Sequence, residues 1–164
     1  MKIKTLCSMI ALTILLGACW HMPDIPQTPT LTISLPVATE TATVWNAQDY
    51  QGKPILIAFM ATWCPWCKRS LPALDATHEA FGDQVEVVGV FVDDDLNAVK
   101  KIQKEHHLKA KALYQGGEAA QELQVEGFPH IVLFDKNHKL VKVWSGYSDK
   151  LADEYKAEIE KLLK

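Results

Sequence analysis

The chain has 164 residues, 48% of them hydrophobic and 23% charged, which is enough for one domain with a real core. Its formal charge is −3; leaving out Lys2 and Lys4 with the first 18 residues makes it about −5. Lysines alternate with acids through the C-terminal half and no basic stripe exists, so a nucleic-acid partner is excluded.

The chain opens with the basic stretch Met1-Lys2-Ile3-Lys4, followed by a short apolar run from Met9 to Leu16. That run falls short of the ~20 residues a spanning helix needs, so residues 1–18 have the form of an export signal outside the fold. Residues 19–42 are expected to be a tether, because Pro23, Pro26, Pro29 and Pro36 among many threonines favour extended, semi-stiff chain. Within it Leu31 to Leu35 alternates like a strand, and Thr43-Val44-Trp45 is its expected hairpin partner.

A single domain is expected over 43–164. Gly52-Lys53-Pro54 is a turn before an apolar strand, 55–60. A helix follows from Pro65 to Phe81, with Leu71, Leu74, His78 and Phe81 on one side. A buried strand covers 85–92 and ends in Asp93-Asp94-Asp95, read as a solvated turn with acids at a helix start. The helix 96–107, a short strand at 111–114 and a short helix at 118–123 come next. A third buried run, 131–134, turns through Asp135 to His138 into 139–144, so these two strands must be antiparallel. Ser148 is the expected cap of a last helix striped with Leu151, Tyr155, Ile159 and Leu162. Continuous apolar strands with helices between them predict an α/β fold, a mixed central sheet flanked by helices on both faces, with an N-terminal β-hairpin extension.

The chemistry concentrates in Trp63-Cys64-Pro65-Trp66-Cys67-Lys68, at a strand-to-helix junction. A helix N-terminus favours a thiolate on Cys64, and Cys67 lies one turn on, within bonding reach. Pro65 suits the first helical position, where its missing N–H needs no partner. Cys64 is therefore the expected nucleophile and the more exposed sulfur, and Cys67 the resolving thiol. A merely structural bridge closing so small a loop removes little unfolded-state entropy. Zinc needs a second Cys or His pair, and a c-type haem needs histidine where Lys68 stands. Trp63 and Trp66 flank the sulfurs as an apolar rim for peptide docking, while Trp45 and Trp144 read as core or sheet-face residues.

Two resemblances add to this. Leu16-Gly17-Ala18-Cys19 resembles a bacterial lipobox, which implies cleavage before Cys19 and lipid on it; the alternative is a plain secretory signal with a chance cysteine. With Cys7 lost in the signal and Cys19 lipidated, Cys64 and Cys67 are left to pair with each other. Ala61 to Lys68 resembles the active-site segment of membrane-associated thioredoxin-like proteins of the TlpA, ResA and DsbE type, and the likeness runs from about Asn46 to Lys164. Pro72 matches that family's helix-kinking proline, and Val125-Glu126-Gly127-Phe128-Pro129 its cis-proline segment.

The resemblance implies a thioredoxin fold, a cis Pro129 and a substrate-facing Phe128. It implies no cofactor beyond the Cys64–Cys67 dithiol, and it makes Trp63, Pro65, Trp66, Phe128 and Pro129 the substrate-contacting set. The implied protein is an extracytoplasmic, lipid-anchored monomer. It would reduce disulfides of exported proteins, for instance in apocytochrome c maturation or thiol repair, with electrons from a transmembrane thiol carrier of the DsbD or CcdA type. An oxidase or isomerase direction stays open. So does a copper-handling role for Cys64, Cys67 and His130 as soft ligands. Three positions depart from the family: Ala58 and Ser70 stand where its relatives carry a buried acid, and His130 where threonine is usual.

Overall fold

The computed structural model describes residues 31–39, 41 and 43–164. The expected signal segment, Cys19 and residues 20–30 of the expected tether lie outside the described residues.

Strands β1 (Ser34–Pro36) and β2 (Val44–Asn46) pair antiparallel, and a 3-10 turn over Ala47–Tyr50 leads into the main sheet. There β3 (Ile55–Met60) and β4 (Glu86–Phe91) are parallel and all twelve of their residues are buried, as strands covered on both faces must be. The short β5 (Lys111–Leu113) pairs parallel to β4. On the other side β6 (His130–Phe134) runs antiparallel to β3, and β7 (Leu140–Ser145) antiparallel to β6. The order is β5-β4-β3-β6-β7, a mixed five-stranded sheet.

Side-chain alternation divides the core in two. Leu56, Ala58 and Met60 of β3 face one layer, where they meet α1 (Pro65–Phe81), α2 (Leu96–Glu105) and α4 (Leu151–Leu162). Ile55, Ile57 and Phe59 face the other, where α3 (Gly117–Glu122) and the N-terminal segment cover them. Trp144 meets Tyr155 edge-on at 4.9 Å in the first layer, and Trp45 is buried in the second. No helix among the described residues is long and apolar enough to cross a membrane.

Two expectations need correction. The fold reaches upstream of residue 43: Leu31, Ile33 and Leu35 are buried in the second core layer. The reason is the edge of β5, whose outer backbone groups need partners. Ala38 N–H donates to the Ala112 carbonyl at 2.8 Å, and Tyr114 N–H to that of Pro36 at 3.1 Å. Nor does Ser148 cap α4. Lys150 holds that place, and the Ser148 hydroxyl accepts from the Lys150 amide instead.

Candidate active site

β3 ends at Met60 and α1 begins at Pro65, so four residues turn the chain from the end of the central strand into a helix. Cys64 is the N-cap of α1, with extended backbone at φ −84°, ψ 114°, and its Sγ accepts from the Cys67 amide at 3.2 Å. A sulfur thus fills the role a hydroxyl usually takes at a helix start. The Cys64 thiol also lies 3.7 Å from the Phe128 carbonyl, to which it can donate. Both thiols are free.

Cys64 is the more exposed of the two, but only just: 4% against 1%. The indole of Trp63 is exposed and meets the Phe128 ring edge-on at 6.2 Å. That of Trp66 is also exposed, stacks on Tyr147 at 5.9 Å and carries the Arg69 guanidinium 4.8 Å from its centre. An aromatic rim therefore surrounds a nearly covered sulfur. The Phe128–Pro129 peptide is cis. Trp63, Cys64, Pro65, Trp66, Cys67, Phe128 and Pro129 thus converge where the end of β3 meets the start of β6.

Burial pushes the Cys67 thiol far above its ordinary range, and its contact with Cys64 pushes the same way; hydrogen bonding from the backbone of Ala61 and of Cys67 itself opposes. Among the described residues no carboxylate acts on this thiol, so none stands by to take its proton. Ala58 packs in the apolar layer around Cys67. Ser70 turns its hydroxyl back onto the Cys67 carbonyl at 2.7 Å, with the Met60 sulfur at 4.0 Å. Cys67 is a desolvated, protonated thiol.

Asp93 is a residue that sequence reasoning misassigned as solvated. Its carboxylate accepts from both the Thr62 amide (2.8 Å) and the Thr62 hydroxyl (2.6 Å), pinning the loop just before Cys64. The available signal was register: Met60 and Phe91 are partners in parallel strands, and Thr62 and Asp93 each lie two residues further on.

His130 sits apart from the sulfurs. It is the register partner of Phe59, which faces the layer opposite Cys67. Among the described residues no three His, Cys, Asp or Glu side chains are grouped to hold a metal ion. The soft-ligand set of Cys64, Cys67 and His130 is therefore not assembled. The imidazole faces the Ser145 hydroxyl at 3.4 Å, and burial lowers its pKa while Glu126 opposes that shift.

Comparison with known proteins bears on this site. The family described as Redoxin matches residues 23–161. A thiol-disulfide oxidoreductase ResA of Bacillus thuringiensis is 28% identical over 119 residues, covering 71% of this chain. That match spans only 65% of the relative's length. A thiol:disulfide interchange protein DsbE of Pseudomonas aeruginosa is 31% identical over 121 residues, 67% of this chain and 66% of that one. Among solved structures, a Chlorobium tepidum protein described as a DsbE-type thiol:disulfide interchange protein superposes with a TM-score of 0.75 at 20% identity, over 82% of this chain and 95% of that one. This last likeness establishes the thioredoxin-like fold.

Proposed function

The chain belongs to the Redoxin family, and on that premise we propose that it is a thiol–disulfide oxidoreductase of the ResA and DsbE type, acting on proteins that carry cysteines. The observation that carries this reading is the free Cys64 thiol at the start of α1, 3.7 Å from the Phe128 carbonyl and backed by a buried Cys67. The Cys64 thiolate attacks one sulfur of a substrate disulfide. A bond forms between Cys64 Sγ and that sulfur, the substrate S–S bond breaks, and the leaving thiolate takes up a proton. Cys67 then gives up its proton and attacks Cys64 Sγ. The Cys64–Cys67 disulfide closes, and the second substrate thiolate leaves and is protonated. Two electrons pass from the dithiol to the substrate.

Reduction is the favoured direction. A dithiol is a strong oxidant when its reduced form is stabilised as thiolate, and at Cys67 burial and the Cys64 contact favour the thiol, outweighing the backbone of Ala61 and Cys67. The substrates are disulfides of exported proteins, apocytochrome c among them, and a membrane thiol carrier of the DsbD or CcdA type restores the dithiol. The protein works as a monomer at an extracytoplasmic membrane face, held by lipid on Cys19 after loss of residues 1–18. The basic start, the short apolar run and Leu16-Gly17-Ala18-Cys19 support that placement.

Trapping tests the mechanism. In Cys67→Ser the resolving step is gone, so Cys64 accumulates as mixed disulfides that dithiothreitol dissolves, and their partners name the substrates. A Cys64 that reacts with iodoacetamide yet traps nothing would overturn the exchange mechanism. Equilibration with glutathione sets the direction, a potential below that of glutathione being expected. Cys19→Ala should move the protein from the membrane fraction to the soluble one, and unchanged partition would refute the anchor.

A further inference from the structure

On the far side of Phe128 from Cys64 lies a groove of about 440 Å³ that the exchange chemistry leaves unused. It starts at Phe128, whose carbonyl faces Cys64 Sγ, and runs past Gly127 to His130, Ser145 and Glu126. Phe128 and the glycines Gly127 and Gly146 form its walls, and a side-chain carbon at either glycine would meet nothing within 4 Å. Its polar groups are acceptors or adaptable ones: the Glu126 carboxylate, the Gln124 amide, the Ser145 hydroxyl and the His130 ring. His130 and Ser145 are register partners on β6 and β7, so sheet pairing fixes their positions. The single charged side chain lining the groove is acidic. Burial of His130 favours the neutral ring, which adds no positive charge to compete.

We propose that this groove is a subsite for a basic side chain, Lys or Arg, close in sequence to the reactive cysteine of the protein substrate, with Glu126 as the residue that selects it. The proposal rests on the exchange reading above. A substrate chain joined to Cys64 must pass Phe128, and in an extended chain alternate side chains point to opposite sides. A residue one to three positions from the substrate cysteine then overlies the groove. A long aliphatic stem suits its apolar walls, and an ammonium or guanidinium head suits its acceptor-rich floor. An acidic side chain there would face Glu126 with no cation lining the groove to offset it.

The test uses reduced full-length protein and matched disulfide-bonded peptide pairs that differ only in Lys or Glu at each position within three residues of the cysteine. A neutral small disulfide, bis(2-hydroxyethyl) disulfide, is run beside them. One position should show a Lys-over-Glu preference of about fivefold in kcat/KM, carried by KM, as expected of a solvent-exposed ion pair. The preference should shrink at high salt. Glu126→Gln should abolish it and Glu126→Lys should invert it; each ratio is read within one variant, so a general loss of activity does not disturb it. Equal rates for every pair with the small disulfide turned over would overturn the subsite alone, as would a Lys preference that survives in Glu126→Lys. Failure with every peptide and with the small disulfide would overturn the exchange reading, and the subsite with it.

Discussion

Cys67 holds its proton because water is excluded from it and no acid stands by. The consequence for stability has a definite sign. In the unfolded chain its thiol ionises near 9.0, whereas in the fold burial holds the ionisation well above that. As pH rises through the unfolded value, the unfolded chain sheds the proton first. Stability from Cys67 is fully present below about pH 9 and is lost above it, at no more than about 1.4 kcal/mol per pH unit. Urea unfolding of the reduced protein and of reduced Cys67→Ser between about pH 7 and 10.5 checks this. The wild type should lose its midpoint more steeply above about 9, and equal slopes would refute the desolvated thiol. Much at this scale is legible in the sequence. The Cys64–Cys67 spacing names the pair, and Ala58 and Ser70 already show that an acid is missing. What the sequence withholds is where side chains point. Ser70 bonds back to its own helix, and His130 turns to the layer away from the sulfurs, because strand pairing across the molecule decides which face each residue of β6 takes.

The junction between β3 and α1 is an element whose geometry is borrowed from a neighbouring strand. Val92 N–H donates to the Met60 carbonyl at 2.9 Å, extending the ladder one step, and the Asp93 carboxylate then clamps Thr62. The loop carrying Trp63 and Cys64 is thus tied to the end of β4. Asp93→Ala removes the acceptor of two charge-assisted bonds and should cost about 1–3 kcal/mol. It should also slow mixed-disulfide formation at Cys64 several-fold, with Asp93→Asn between it and the wild type. Denaturant midpoints and stopped-flow exchange rates measure both, and a variant that loses stability without losing rate would show that the clamp holds the fold but does not aim the sulfur. Of the three adjacent aspartates, Asp94 and Asp95 are exposed as the local pattern predicts, and Asp95 caps α2 by accepting from the Asn97 amide at 2.8 Å. Helix starts are legible because the cap and its donor are two residues apart. The Asp93–Thr62 bond spans 31 positions and exists only once β3 and β4 pair in register.

At the scale of the molecule, the N-terminal segment decides where the fold begins. Proline and threonine content makes residues 19–42 resemble a linker, and by local composition that is a fair reading. The alternation of Leu31, Ile33 and Leu35 already marks one face at period two, but it does not show that β5 leaves an edge open for Pro36 and Ala38 to close, which seats that face on the core. Once there, the segment is fixed at both ends of β5. Pro36 and Ala38 bond its far end and flank, while Trp45 Nε1–H donates to Glu86 Oε1 at 3.0 Å. Lys111 joins the same oxygen at 2.6 Å and the Tyr50 hydroxyl at 2.8 Å, and Trp45 stacks on Tyr50. Burying three aliphatic side chains is worth about 1.5–3 kcal/mol each. Together they rival the ~5–15 kcal/mol that holds a domain of this kind. A chain starting at residue 43 should therefore be largely unfolded or aggregate through the bared edge of β5, while one starting at residue 25 should unfold cooperatively near the midpoint of the full chain. Circular dichroism under urea, with sedimentation to detect association, separates these outcomes. A chain from 43 that folds with an undiminished midpoint would show that residues 31–38 merely lie on the domain and do not hold it together.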